Sequence, residues 1–374
     1  MSFGSLSGPA VEALNRGAAL ADCLQNTGRA GSRSTTGTAG SWCSRSVPPT
    51  SGAGTSSAAS TSTGSRNESP AHRCGRWRSS SARGQAGPRR GAAGRQGLGG
   101  DRLGAGVPEG VDCVSPSRHA EFDDADGLLD WVELLAAETG LPVGIKAAVG
   151  DMPFWEELTD LMVGTGRGVD FVTIDGGEGG TGAAPLLFTD SVSLPFQLGF
   201  SRVYAEFARK GLHDRVVFVG GGKLGLPDNA TVAFALGCDM VNVAREAMLA
   251  IGCIQAQKCH TDTCPVGVAT QNTWLTRGLD PALKSVRAAN YVRTLRRDLL
   301  RLAEACGVEH PGLIDADVVE ILTGRTASRP LREVYDYEPG WGLPSAADRA
   351  EIARIMSAEA PEGGSAPPSP DAID

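Results

Sequence analysis

From residue 123 to residue 243, short apolar strands alternate with amphipathic helices, and no other feature of the chain restricts its fold so much. Asp123 or Asp124 can cap a first helix, in which Leu128, Leu129, Val132 and Leu135 recur at helical spacing and which Gly140 and Pro142 end. Strands are expected at 143–147, 169–175, 216–219 and 240–243, and helices at 152–165, around 195–210 and at 228–236. Strands that are apolar throughout and separated by helices belong to a parallel sheet covered on both faces, which places the chain in the α/β class.

This rhythm is broken upstream. Residues 28–110 contain no Ile, Phe, Tyr, Met or Lys, and few Leu or Val, so they cannot bury enough apolar surface to offset the entropy of ordering; disorder is expected. The segment holds twelve arginines against Glu68, Asp101 and Glu109, so the rest of the chain is more acidic than the formal net charge of -8 suggests. Such a basic stretch could serve as a nucleic-acid arm. Arg, Gly, Ser, Ala and Pro are also what a GC-rich gene yields in a wrong reading frame. We read the segment that second way and expect no nucleic-acid partner. A natural Ser/Arg/Gly linker is the competing reading. Before it, residues 1–7 can end a strand and Pro9 opens a helix with Val11, Leu14 and Ala18 on one face.

A long helix is expected at 281–306, capped by Asp280, with Leu283, Val286, Leu295, Leu299 and Leu302 on its buried face. Its arginines, Arg287, Arg293, Arg296, Arg297 and Arg301, read as a solvated face or as a docking surface for an acidic partner. From about 358 onward, Pro, Gly, Ser and Ala imply a frayed end. The nine cysteines are irregularly placed and do not form a disulfide framework, and no apolar run reaches the length of a membrane span, so a cytoplasmic chain without a span is expected.

Three of those cysteines, Cys253, Cys259 and Cys264, lie in one short run. On spacing alone an iron-sulfur site, a zinc site and buried free thiols all stand. Glycines crowd the strand ends at 176–182 and 220–222, where backbone N–H groups could cradle a phosphate or a flat ring, or simply turn tightly. Lys146 ends an apolar strand, Glu178 sits between glycine pairs, and Arg245 follows the last strand. Lys146 can stabilise developing negative charge in a cofactor pocket or merely snorkel at a rim; Arg245 can meet a phosphate or an acidic neighbour.

The combination of residues 1–7, 26–28, the Gly-Ile-Lys146 strand, the two glycine turns and the run 252–271, with its Cys-His-x3-Cys-Pro-Val-Gly-Val-Ala-Thr-Gln, resembles the FMN-binding glutamate synthase family. The resemblance covers roughly 1–28 and 111–330. It implies a TIM (β/α)8 barrel with FMN at its mouth and a 3Fe-4S cluster held by Cys253, Cys259 and Cys264. It implies catalytic roles for Lys146 at the flavin and Glu178 at the substrate. Contacts to FMN would come from Gly4 and Ser5, from Asp175, Gly176, Gly177 and Gly179, from Gly180, Thr181 and Gly182, from Gly220, Gly221 and Gly222, and from Ala244 with Arg245. The implied reaction makes L-glutamate from 2-oxoglutarate and ammonia by way of 2-iminoglutarate. Ammonia would come directly or from a glutaminase partner, and electrons from ferredoxin or an NAD(P)H-oxidising subunit. A flavin and iron-sulfur electron-transfer subunit is the alternative.

This chain departs from the family after Gly28, where Arg29 stands in place of the expected glutamate and no lysine-bearing glycine motif follows. The barrel is therefore expected to be incomplete, with strands about 2–4 replaced, and the chain to fold poorly and have little or no activity. The expected organisation is a barrel start at 1–27, the inserted segment at 28–110, the remaining barrel with its cysteine loop at 111–275, a helical extension at 276–357 and a tail at 358–374.

Overall fold

The computed structural model describes residues 5–26, 42–43, 78–80, 119, 121–179 and 192–359. In chain order the elements are α1 (Gly8–Leu20), β1 (Gln25–Asn26), β2 (Trp42–Cys43), β3 (Arg78–Ser80), α2 (Ala125–Thr139), β4 (Val143–Ala148), α3 (Pro153–Thr165), β5 (Phe171–Asp175), α4 (Phe196–Arg209), β6 (Val217–Gly221), α5 (Pro227–Ala235) and β7 (Met240–Asn242). Then follow α6 (Arg245–Ala250), α7 (Thr273–Thr276), α8 (Pro281–Ala305), the hairpin strands β8 (Glu320–Leu322) and β9 (Ser328–Pro330), α9 (Leu331–Val334) and α10 (Ala346–Glu359). Each helix and strand expected between 123 and 243 is present, displaced by a residue or two at its ends. Asp124 accepts the Gly127 N–H at 2.8 Å to open α2, and Gly140 closes it with φ +61°, a left-handed turn that glycine adopts without penalty.

Strands β3 to β7 form one parallel sheet in sequential order, as right-handed βα units dictate. It is open, with no closed barrel among the described residues, in keeping with an incomplete barrel. Helices α2, α3 and α4 pack on it around Leu128, Leu129, Trp155, Leu158, Phe200 and Phe218, all essentially inaccessible to solvent. Strand spacing is tight enough that a Cβ on Gly144 would stand 2.2 Å from the Phe171 carbonyl oxygen. At the amino-terminal edge of the sheet two aspartates repeat one arrangement. Asp170 accepts the Val143 N–H at 2.6 Å and Asp239 accepts the Phe218 N–H at 2.7 Å, each tying the residue before one strand to the start of its neighbour.

The expected disorder of 28–110 falls on residues outside the described set, except at β2 and β3. There the structure corrects the reading of a segment without strands. β1 pairs with β2, and β3 pairs with β4 in parallel from Arg78↔Val143 to Ser80↔Ile145. Pairing of this length uses only backbone groups, and the exposed N–H and C=O row of β4 can recruit it without apolar side chains. The frayed tail expected from about 358 lies outside the described residues, apart from 358–359, where α10 ends.

Helix α8 corrects a second expectation. Its carboxyl-terminal half buries Leu295 and Leu299 as expected, but Leu283 and Val286 are 59% and 49% exposed, and Ser285, Ala288 and Ala289 are buried instead. Small residues are required because α1 lies directly on them: a Cβ on Gly17 would be 2.6 Å from the Ala288 Cβ and 2.9 Å from the Ser285 carbonyl oxygen. Nor are all its arginines merely solvated. Arg293 donates to the Leu20 carbonyl, and Arg296 donates to the carbonyls of Ala21 and Asp22, the latter at 2.7 Å. These are the unpaired carbonyls that end α1, where a cation is favoured.

Two outcomes are expected. Gly17→Ala should gain up to about 1 kcal/mol of helix propensity but lose about 1–3 kcal/mol to overpacking, so denaturant titration should show net destabilisation. Burial, reinforced by the Asp348 and Asp214 charges, raises the Asp239 pKa from 3.8 to about 6 against the pull of the Phe218 N–H. A carboxyl raised in this way favours the folded state while protonated; that contribution is full below pH 3.8 and is lost as pH rises through about 6. Asp239→Asn keeps an acceptor for Phe218 and should flatten this slope in urea titrations between pH 4 and 7, by a modest amount because the Asp239 side chain is partly open to solvent.

Candidate functional site

The carboxyl-terminal ends of β4, β5 and β6 are stitched together by residues 192–196. Leu194 donates to the Val149 carbonyl at 2.9 Å and accepts the Gly177 N–H at 2.8 Å, while the Gly176 N–H reaches the Gly221 carbonyl at 2.7 Å. A Cβ on Gly176 would fall 2.5 Å from the Phe196 nitrogen, and one on Gly221 would fall 2.5 Å from Asp175 Oδ1. Gly220 serves the core, since its Cβ would meet the Cys238 sulfur and Phe196 Cζ at 2.8 Å. These glycines thus permit protein-protein contacts, whether or not they also face a ligand.

Lys146 on β4 and Asp175 at the end of β5 form an ion pair, with side chains 14% and 26% exposed. The expected lysine thus stands at the carboxyl end of the sheet with its charge fixed by a neighbouring strand. Glu178 lies in a single 3-10 turn, Gly177–Gly179, and both of its carboxylate oxygens accept the Phe196 N–H, at 2.9 and 3.0 Å. It therefore caps α4, whose N-cap residue, Pro195, supplies no side-chain bond of its own. Arg245, first residue of α6 after Ala244, donates to the Glu178 carbonyl at 3.5 Å, and among the described residues it makes no ion pair. Ser5 lies in the turn that leads into α1. Gly4, Gly180, Thr181 and Gly182 are outside the described residues.

A solvent-open cleft of about 460 Å³ lies over this region, lined by Gly177, Glu178, Ser193, Gly222, Lys223 and Asn229 among others. Ser193 Oγ is buried there without a hydrogen-bond partner among the described residues. An orphaned hydroxyl, a lysine and glycine backbone in a cleft of this size suit a polar, anionic ligand such as a phosphate-bearing cofactor. Ser193 and Asn229 were not legible as site residues. Neither belongs to a glycine turn, and only the return of 192–196 over the strand ends brings Ser193 to the cleft.

The cysteine loop leaves α6 at Gly252 and packs on α1. Cys264 is buried with Leu6, Ala10, Val11, Leu14 and Val268, and Cys259 packs against the same cluster. Burial first, and then the charges of Cys253 and Cys264, push the Cys259 thiol up, so the three sulfurs share one electrostatic neighbourhood. Among the described residues no group of three or more His, Cys, Asp or Glu is closed up so as to hold a metal ion. As a donor set, three free thiols on one loop over an apolar floor suit a thiolate-bound cluster. No described helix is long and apolar enough to cross a membrane.

Curated relatives match over about half of the chain. The glutamate synthase large subunit-like protein YerD of Bacillus subtilis is 42% identical over 205 residues, covering 55% of this chain and 39% of the relative. The archaeal glutamate synthase [NADPH] of Methanocaldococcus jannaschii is 33% identical over 206 residues, covering 54% and 39%. The chain thus spans about two fifths of the length of these relatives. A solved mutant flavocytochrome b2 with pyruvate bound covers 97% of this chain and 72% of its own at 14% identity and a TM-score of 0.47, a likeness too loose to carry more. The family model described as the conserved region in glutamate synthase matches residues 105–309, and on that match, over more than half of its length, this chain belongs to the glutamate synthase family.

Proposed function

We propose that the chain is the synthase portion of a glutamate synthase-type oxidoreductase, reducing 2-iminoglutarate, formed from 2-oxoglutarate and ammonia, to L-glutamate. The observation that carries this reading is the placement of Lys223, the glycines Gly177 and Gly222 at the strand ends and an orphaned serine hydroxyl around one cleft at the carboxyl end of a parallel sheet, whose strands β4 and β5 also carry the Lys146–Asp175 ion pair. Relatives named as glutamate synthases with NADPH in their names support it.

FMN is the cofactor proposed for the cleft, and when bound it supplies the hydride that the imine carbon accepts. Lys146, steadied by Asp175, presents a fixed positive charge toward charge that accumulates at the strand ends. Lys223, Ser193 Oγ and the Gly222 backbone offer donors for a phosphate. Glu178 holds the 192–196 segment in place through the Phe196 N–H, and Arg245 braces the same turn. Cys253, Cys259 and Cys264 are proposed to hold a 3Fe-4S cluster, through which electrons from ferredoxin or an NAD(P)H-oxidising subunit reach the flavin. Ammonia would come from solution or from a glutaminase partner.

Residues 28–110, of which only β2 and β3 are described, are proposed to be a low-complexity or frameshifted segment standing in place of barrel strands about 2–4, and turnover by this chain to be low in consequence. The family match begins only at residue 105. We further propose a cytoplasmic location.

The test is the full chain reconstituted anaerobically with iron, sulfide and FMN, then supplied with 2-oxoglutarate, ammonia and a reduced donor. Stoichiometric flavin, a brown three-iron chromophore and donor-dependent glutamate are expected. Lys146→Met should lower the glutamate rate about 100-fold while flavin stays bound, and Cys259→Ser should remove the chromophore. Flavin and iron without any glutamate would point to an electron-transfer subunit; zinc in place of iron would overturn the cluster.

A further inference from the structure

We infer that Asp262 is the positioning residue of the cysteine loop, setting the separation of the Cys259 and Cys264 thiols and so the hold on a cluster; the inference rests on the proposed reading of those cysteines as ligands. Asp262 lies between them in the left-handed region, at φ +60°. Aspartate tolerates this conformation better than most residues because its short carboxylate can bond locally. Here its side-chain carboxylate and its backbone carbonyl both accept hydrogen bonds across the loop. Oδ1 accepts the Gln271 N–H at 2.7 Å, and its carbonyl accepts the Thr270 hydroxyl at 2.6 Å.

Those partners are themselves anchored. Thr270 is buried, the Gln271 side chain donates to the Leu6 carbonyl at 3.0 Å, and Ser7 donates to the Val268 carbonyl at 2.9 Å. Ser7 in turn caps α1 by accepting the Ala10 N–H. A continuous series of hydrogen bonds therefore runs from the middle of the loop to the start of the chain's first helix. The position of the thiols depends on it, since the loop itself has no regular structure between Cys253 and Cys264.

The test compares the reconstituted full chain with Asp262→Ala and Asp262→Asn. Iron and sulfide per chain, the low-temperature electron paramagnetic resonance signal of the oxidised cluster, and the rate of iron loss to a chelator are measured beside the melting temperature of the apo chain. Asp262→Ala is expected to lose iron about tenfold faster with an altered signal, and Asp262→Asn, which keeps the acceptor and tolerates the backbone angle, to stay near the parent. A purely structural role would lower the melting temperature and leave signal and loss rate unchanged in the protein that remains folded; that result overturns the inference, as does Asp262→Asn behaving like Asp262→Ala. If Asp262→Ala does not fold, Thr270→Val removes the hydroxyl bonded to the Asp262 carbonyl; faster loss supports the inference and an unchanged rate overturns it. A parent chain that takes up no iron fails at the earlier step, the reading of the cysteines as ligands, and removes this inference with it.

Discussion

The contact of α1 with α8 is the constraint on which the cysteine loop depends. Gly17 lets the two helices approach until only Ser285, Ala288 and Ala289 fit between them, and Arg293 and Arg296 close the carboxyl end of α1 with charge-assisted bonds to its free carbonyls. The first turns of α1, with Leu6 just before them, are the floor of the loop: Leu6, Ala10, Val11 and Leu14 pack beside Cys264 in a cluster that also takes in Ala288 of α8. Separating the helices would remove both the floor and the Gln271 anchor on Leu6. Non-local packing therefore fixes a site whose candidate ligands all lie within one short stretch of sequence.

The sheet end is built on a different principle. Its glycines are dictated by neighbouring protein atoms: Gly176 by the Phe196 nitrogen, Gly221 by the Asp175 carboxylate, Gly220 by Cys238 and Phe196. The strand ends beneath the cleft are packed before any ligand arrives, which lowers the cost of ordering them on binding. Its charges are arranged to match. Lys146 is balanced by Asp175 and Glu178 by a helix N-terminus, so neither introduces an uncompensated buried charge.

Local pattern made the βα rhythm legible, because caps such as Asp124 and stops such as Gly140 act within a few residues of the helix they bound. Long-range geometry escaped it. Helical spacing alone put Leu283 and Val286 on the buried face of α8, whereas the close approach of Gly17 selects Ser285 and Ala288. Composition alone suggested a strandless 28–110, whereas β3 pairs with β4 through backbone groups that composition does not report. At the site, Lys146 and the glycine turns were visible from their position at strand ends. The partner of Glu178 was not, because the Phe196 N–H lies beyond a connecting segment whose path no local pattern specifies.

Similarity and contact delimit the unit differently. The family match begins at residue 105, so α1 lies outside it, yet α1 buries Val11 and Leu14 against Ile251, Val268 and Leu279, which lie within it. A helix joined only by the chain between them would not share a core with residues so distant in sequence. Hydrogen bonds span the same separation, from Leu6 to Gln271 and from Leu20 to Arg293. Residues on either side of 28–110 thus hold each other by packing, and the loop-closure cost of a long intervening segment grows only with the logarithm of its length. That is why a stretch so poor in apolar side chains can lie between two parts of one core.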